Sequence, residues 1–140
     1  TKSVLQAFAA MFVVADGASF EELVEEMTDA ISGVRYGEVT TAVRDSSAAD
    51  GTPIHDGDVM GIQGGSIDVV GSDVMKVTLD LIAKMQEEEE GDNLTILAGE
   101  DFSDEQLDLL ASKIEDAYPD LEVDAQRGEQ PLYPVIFSIE

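Results

Sequence analysis

A strand, a helix and a second strand follow one another between Leu94 and Ala125, and this run limits the fold more than any other feature. Leu94 to Ala98 is a short apolar run of strand length. Ser103 followed by Gln106 is a capping box, in which each side chain satisfies a backbone N–H at the helix start. Leu107, Leu110, Ala111, Ile114 and Tyr118 recur at helical spacing, and Pro119, which has no N–H to donate, stops the helix. Leu121, Val123 and Ala125 then alternate as a strand. Two strands joined in this way are parallel, with a right-handed crossover.

Upstream, Val59 to Ile62 and Ile67 to Val70 flank Gly64-Gly65, the signature of a tight hairpin. A hairpin is antiparallel, so the sheet is mixed. Val39, Thr41 and Val43 alternate with Thr40, Ala42 and Arg44 as a half-buried strand. A polar loop from Ser46 to Pro53 and turns at Asp50-Gly51 and Asp56-Gly57 follow. Gly71 and Ser72 break the hairpin strand and cap a helix whose buried face holds Val74, Val77, Thr78, Leu81, Ile82 and Met85. Glu87 to Asp92 is a charged loop, and Val135 to Ile139 is the last strand.

Two helices open the chain. Ser3 caps the first, with Val4, Leu5, Phe8, Met11, Phe12 and Ala15 as its stripe, and Ala7, Ala9 and Ala10 predict burial on more than one side. Ser19 and Glu22 box the second, whose stripe is Phe20, Leu23, Val24, Met27 and Ile31, and Gly33 ends it. The expected fold class is α/β (α+β): a mixed sheet with a hairpin and a right-handed βαβ unit, helices packed on it. One domain spans 1–140, with a helical segment at 1–34 and the sheet and two helices at 35–140. A very apolar helix beginning at residue 3 fits a fragment of a larger protein.

Charge and composition then narrow the function. Thirty-one acids against seven bases give a net charge of −24, which repels nucleic acid and anionic membrane surfaces. No cysteine is present, so disulfides and thiolate chemistry are excluded. The longest apolar run, Val4 to Ala15, is too short to span a bilayer, and Thr1-Lys2-Ser3 is unlike a secretory signal, so the cytoplasm is the expected compartment. His55 is the only histidine and sits in a loop, Asp45-Ser46-Ser47 has no neighbouring base, and Gly61 to Gly65 lacks the Lys-Ser/Thr of a phosphate loop. Asp56-Gly57-Asp58 and Glu87 to Asp92 lack the spacing of a calcium loop. No catalytic residue and no metal site is expected. Arg44 ends an alternating strand and either pairs within the chain, near Asp45, or holds a partner's carboxylate or phosphate. In Gln130-Pro131-Leu132-Tyr133-Pro134 two prolines predict an extended path suited to docking. Arg44, Gln130, Pro131 and Tyr133 are therefore the candidate partner-binding residues.

Three segments in this order carry a resemblance: Thr1-Lys2-Ser3 before an apolar helix, Gly37 to Asp45, and Gln130 to Pro134 running on to Phe137-Ser138-Ile139-Glu140. Together they resemble the C-terminal region of bacterial DAK2-domain fusion proteins, the family of the ATP-binding subunit of fatty acid kinase. The chain departs from that pattern at Arg127-Gly128-Glu129, where the family usually has two glycines. The later half is also similar to the second domain of DegV-type fatty-acid-binding proteins, which implies a DegV-like fold. The resemblance implies a kinase in which ATP and magnesium are held by a separate N-terminal domain, with no cofactor in this region. It implies a non-catalytic module that docks the DegV-type acyl-binding subunit so that the fatty acid carboxylate can be phosphorylated. The alternatives are a small apolar-ligand (lipid) binding domain, lined by Phe8, Phe12, Phe20 and the methionines, and a homodimer formed through the first helix.

Overall fold

The computed structural model describes residues 1–140. The order of elements is α1 (Val4–Phe12), α2 (Phe20–Ser32), β1 (Arg35–Thr41), β2 (Ser46–Ser47), β3 (Pro53–Ile54), β4 (Val59–Gln63), β5 (Ser66–Gly71), α3 (Val74–Glu88), β6 (Asn93–Ala98), α4 (Asp104–Ala117), β7 (Glu122–Arg127) and β8 (Val135–Ile139). Six strands form one mixed sheet in the order β5-β4-β1-β8-β6-β7, and β2 with β3 forms a small ribbon. Only β6 and β7 are parallel. The sheet, the hairpin and the βαβ unit are those the sequence predicts. In the hairpin turn both Gly64 and Gly65 have positive φ, 57° and 93°, as a two-residue turn matched to strand twist requires.

The main core lies between α3, α4 and one face of the sheet. Val77, Leu81, Ile82 and Met85 of α3 and Leu107, Leu110 and Ile114 of α4 meet Val39, Ile96, Val135, Phe137 and Ile139. The helices start where the sequence places them, with one shift: Asp73, not Ser72, caps α3 by accepting the Lys76 N–H. Val74 already begins the apolar stripe as the first helical residue, so the cap is the residue immediately before it. Phe137 is fully buried, and its ring lies over the backbone of Gly37 on the neighbouring strand.

The opposite face is covered in patches. Ala42, Ala48 and Ile54 fold the ribbon onto Met60, Ile67 and Val70 at one end. At the other end α1 borders Thr95, Leu97 and Ser138. Between these covers Glu38 sits on β1, paired across strands with Ile62 and Ile136. Burial pushes its carboxyl above the ordinary value of 4.5.

Two expectations fail. β1 ends at Thr41, and beyond it Ala42 is buried while Val43 is 84% exposed, the reverse of the alternation read from sequence. The cause is a change of partner: the Ala42 N–H bonds Asp58 O (2.7 Å) and Ala42 O accepts from Gly57 N–H (2.9 Å), which turns the chain off the sheet. The first helix is not buried on several sides either. Only Leu5 and Ala10 are buried, and α2 buries none of its residues, because the two helices pack chiefly on each other.

Gly37→Ala would force a Cβ into the fully buried Phe137 ring, which would have to shift within the core. A loss of about 1–3 kcal/mol in urea unfolding is expected. Glu38→Gln tests the half-buried carboxyl. Because the folded pKa is raised, the native state binds the proton more tightly than the unfolded chain, so wild-type stability is lost as pH rises from the unfolded value through the folded one. The variant should therefore gain stability over wild type at about pH 7 and little at about pH 4. An equal gain at both pH values would show that the carboxylate's charge is not the cause.

Candidate docking groove

The sheet order dictates where the chain is irregular. β7 is an edge strand, yet β8 enters on the far side of β6, so the segment 128–134 must cross the carboxyl end of β6. The N–H groups of Gly128 and Glu129 both bond Ala98 O (2.9 and 3.1 Å), Gly99 N–H bonds Pro134 O (2.8 Å) and Glu100 N–H bonds Gln130 O (3.2 Å). The crossing is so close that a Cβ on Gly99 would meet the carbonyl oxygens of Tyr133 and, at 2.8 Å, Gln130. Gln130 turns its amide inward, donating to Leu97 O (2.9 Å) and Tyr133 O (3.1 Å).

The tight crossing bends the segment into a turn and not the extended path expected from its prolines. Proline restrains its own φ and the residue before it, and leaves Leu132 free to turn. Glu129 and Leu132 have φ of 54° and 70°, a region that non-glycine residues enter at a cost of about 1–3 kcal/mol. Thr40 Oγ1 donates to Leu132 O (2.7 Å) and holds the turn. The Leu132 side chain is 79% exposed, so its own packing does not offset the strain.

Facing this turn is the exit of β1. Thr40 to Arg44 and Leu132 to Pro134 form the two sides of an open groove of 810 Å³, with Met60, Ile67, Val74 and Phe102 among its apolar lining. The groove lies at the carboxyl end of β6, beside the first turns of α3 and α4, where ligands of open α/β sheets commonly sit.

Arg44 is the one cation of this groove. The other two arginines are held within the chain. Arg35 donates to Met85 O (2.7 Å) and approaches Glu89 (3.8 Å), while Arg127 donates to Phe102 O and pairs with Asp104 at 3.4 Å. Arg44 makes no ion pair and no side-chain hydrogen bond within the chain. Asp45, its neighbour, instead accepts the Asp56 N–H (2.9 Å). An exposed, unengaged guanidinium can take a carboxylate or phosphate in two parallel hydrogen bonds.

Of the four candidates, the structure brings Arg44 and Tyr133 to one groove. Gln130 is a brace of the turn, and Pro131 is exposed on the same turn outside the lining. Sequence reading missed Leu132 and Val43. The legible signal was a large apolar residue between prolines in a segment with no periodicity to bury it. His55 is exposed and lies elsewhere, its backbone N–H given to Asp58 Oδ2 (2.8 Å). No group of three or more acids or histidines is arranged to hold a metal. The carboxyls of Glu22 and Asp50 lie below their ordinary values, through hydrogen bonds from Ser19 and Thr52 respectively, and both belong to caps and turns. Phe8 and Phe12 line a separate crevice of 290 Å³ between α1 and the sheet, so they form no apolar pocket with Arg44 as its anchor.

Comparison with known proteins agrees with this architecture. An uncharacterized protein of Staphylococcus haemolyticus is 39% identical over all 140 residues, and the chain spans 25% of that relative's length. Among solved structures, a DegV family protein from Eubacterium eligens loaded with heptadecanoic acid matches 97% of the chain, using 55% of its own, with TM-score 0.63 and 19% identity. The Streptococcus pneumoniae fatty acid kinase B3 protein loaded with linoleic acid matches 97% of the chain and 54% of its own, with TM-score 0.63 and 11% identity. At such identity these two structures establish a shared DegV-like fold. The family model for the C-terminal region of FakA-like proteins, the A-type subunits of fatty acid kinase, matches residues 1–140, and the chain belongs to that family.

Proposed function

We propose that the chain is a non-catalytic docking module of a fatty acid kinase subunit, and that its Arg44 groove receives the DegV-type subunit that carries the fatty acid. The kinase chemistry, with ATP and magnesium, belongs in this reading to another part of a longer protein. Phosphoryl transfer depends mainly on holding acceptor and phosphate in line, so a module that fixes the acyl carrier contributes to the reaction without touching the phosphate.

The observation that carries the reading is Leu132. The crossing holds Leu132 at positive φ, yet its exposed side chain, like that of Val43 and the unengaged arginine beside it, adds nothing to the packing of the chain itself. Strain of this kind is retained where it serves recognition. Apolar anchors flanked by an arginine are also the composition of an interface centre. The net charge of −24 would speed encounter with a carrier that has a basic patch, while Arg44 would select a carboxylate on it.

The reading is tested by calorimetric titration with the DegV-type subunit of the same genome, both empty and loaded with fatty acid. Leu132→Gly removes the side chain and relieves the positive φ. Its stability should hold or rise by about 1 kcal/mol, while affinity for the subunit falls about tenfold or more. Arg44→Ala should weaken binding by a similar factor and leave stability unchanged, since it loses no intrachain partner. Unaltered affinity in both variants would sink the groove as the docking site. Titration with the free fatty acid alone separates the apolar-ligand reading, which requires the chain to bind it and Arg44→Ala to abolish that binding.

A further inference from the structure

We propose that α1 and α2 together form a second docking face, and that it takes an apolar protein surface rimmed by lysine and arginine. None of its residues lines the Arg44 groove, and the proposal does not rest on the function assigned to that groove.

The face is apolar by construction. Val4, Phe8 and Met11 recur at spacings of four and three, so they lie along one side of α1, and all are exposed. Phe12 at 89% and Phe20 at 77% exposure follow, with Val24 one turn beyond Phe20. Leu5 and Ala10 are the buried residues of α1, while Phe8 and Phe12 only border the crevice against the sheet and stay exposed, so the row is surplus to the core. An isolated exposed leucine needs no explanation, but a concentration of large apolar side chains on two adjoining helices marks an interaction surface.

Charge selects the occupant. The polar side of α2 carries Glu21, Glu22, Glu25, Glu26 and Asp29, and the helix has no basic residue. Of these, Glu21 and Glu25 follow the exposed Phe20 and Val24 and border the face, and two copies meeting through it would bring them together, because a two-fold interface presents the same patch on both sides. Like charges across an interface are strongly unfavourable, more so in a chain of net charge −24. An anionic lipid surface meets the same repulsion. A protein surface whose apolar centre is bordered by cations relieves it. It would also complement the carboxyl end of α2, where the last turn has no basic side chain to balance the helix dipole.

The test uses the 140-residue chain and three synthetic peptides: an amphipathic helix of leucine and lysine, the same residues shuffled to destroy the apolar stripe, and a leucine–glutamate helix. Fluorescence anisotropy should show the leucine–lysine helix binding about tenfold more tightly than the shuffled peptide, and the leucine–glutamate helix not at all. Phe12→Ser/Phe20→Ser should bind the ordered and shuffled lysine peptides alike, whereas Arg44→Ala should behave as wild type. Circular dichroism checks that the double variant is folded, and Val4→Ser/Met11→Ser replaces it if it is not. Equal binding of both lysine peptides by wild type would reduce the effect to charge and overturn the proposal. A dimer in sedimentation that the variant abolishes would give the face to a second copy and overturn it too. Wild-type binding to phosphatidylglycerol vesicles that the variant loses would assign the face to lipid, with the same consequence.

Discussion

The pairing of β8 on both of its edges is the constraint on which the rest of the structure depends. The hairpin half, β5-β4-β1, and the parallel half, β6-β7, are one sheet because β8 is antiparallel to β1 on one side and to β6 on the other. Val135, Phe137 and Ile139 are fully buried beneath the helices, and the Phe137 ring occupies the space that Gly37 leaves open. A strand that is last in sequence and central in space makes long-range contacts, which slow folding and tie distant parts of the chain into one unit.

The groove is a consequence of that topology. To reach its place from β7, the chain has to cross the end of β6, and the closeness of the crossing requires Gly99 and drives Leu132 to positive φ. At the far side of β8, β1 runs out of partners after Thr41, and the turn through Ala42 and Gly57 leaves Val43 and Arg44 outside. Two local irregularities, each held by hydrogen bonds to a distant part of the chain, thus face each other across the carboxyl end of the sheet. The fold leaves this groove at positions that its own core does not use.

Elements whose signals are local were legible in the sequence. The capping boxes at Ser19 and Ser103 and the Gly64-Gly65 turn depend on residues within a few positions of one another, and the parallel pair on an unbroken succession of strand, helix and strand. What was not legible depends on distant partners. The insertion of β8 between β1 and β6 leaves no mark on the composition of Val135 to Ile139, since any central strand would read the same. Ala42 changes face because Asp58, sixteen residues on, takes its N–H. Arg44 and Tyr133 stand out by residue type, and only the sheet order shows that they share a groove. The place of Leu132 between two prolines was legible, but its strain is a property of backbone geometry and cannot be read from a leucine.

The central claim is that the groove, and not the rest of the sheet surface, meets the acyl-carrying subunit. Hydrogen–deuterium exchange of the chain, alone and with that subunit, tests it most directly. The account predicts new protection at 41–47, 101–106 and 130–134, with β7 and the loop between α3 and β6 unchanged. Protection confined to other surfaces, with these three segments exchanging as in the free chain, would contradict it.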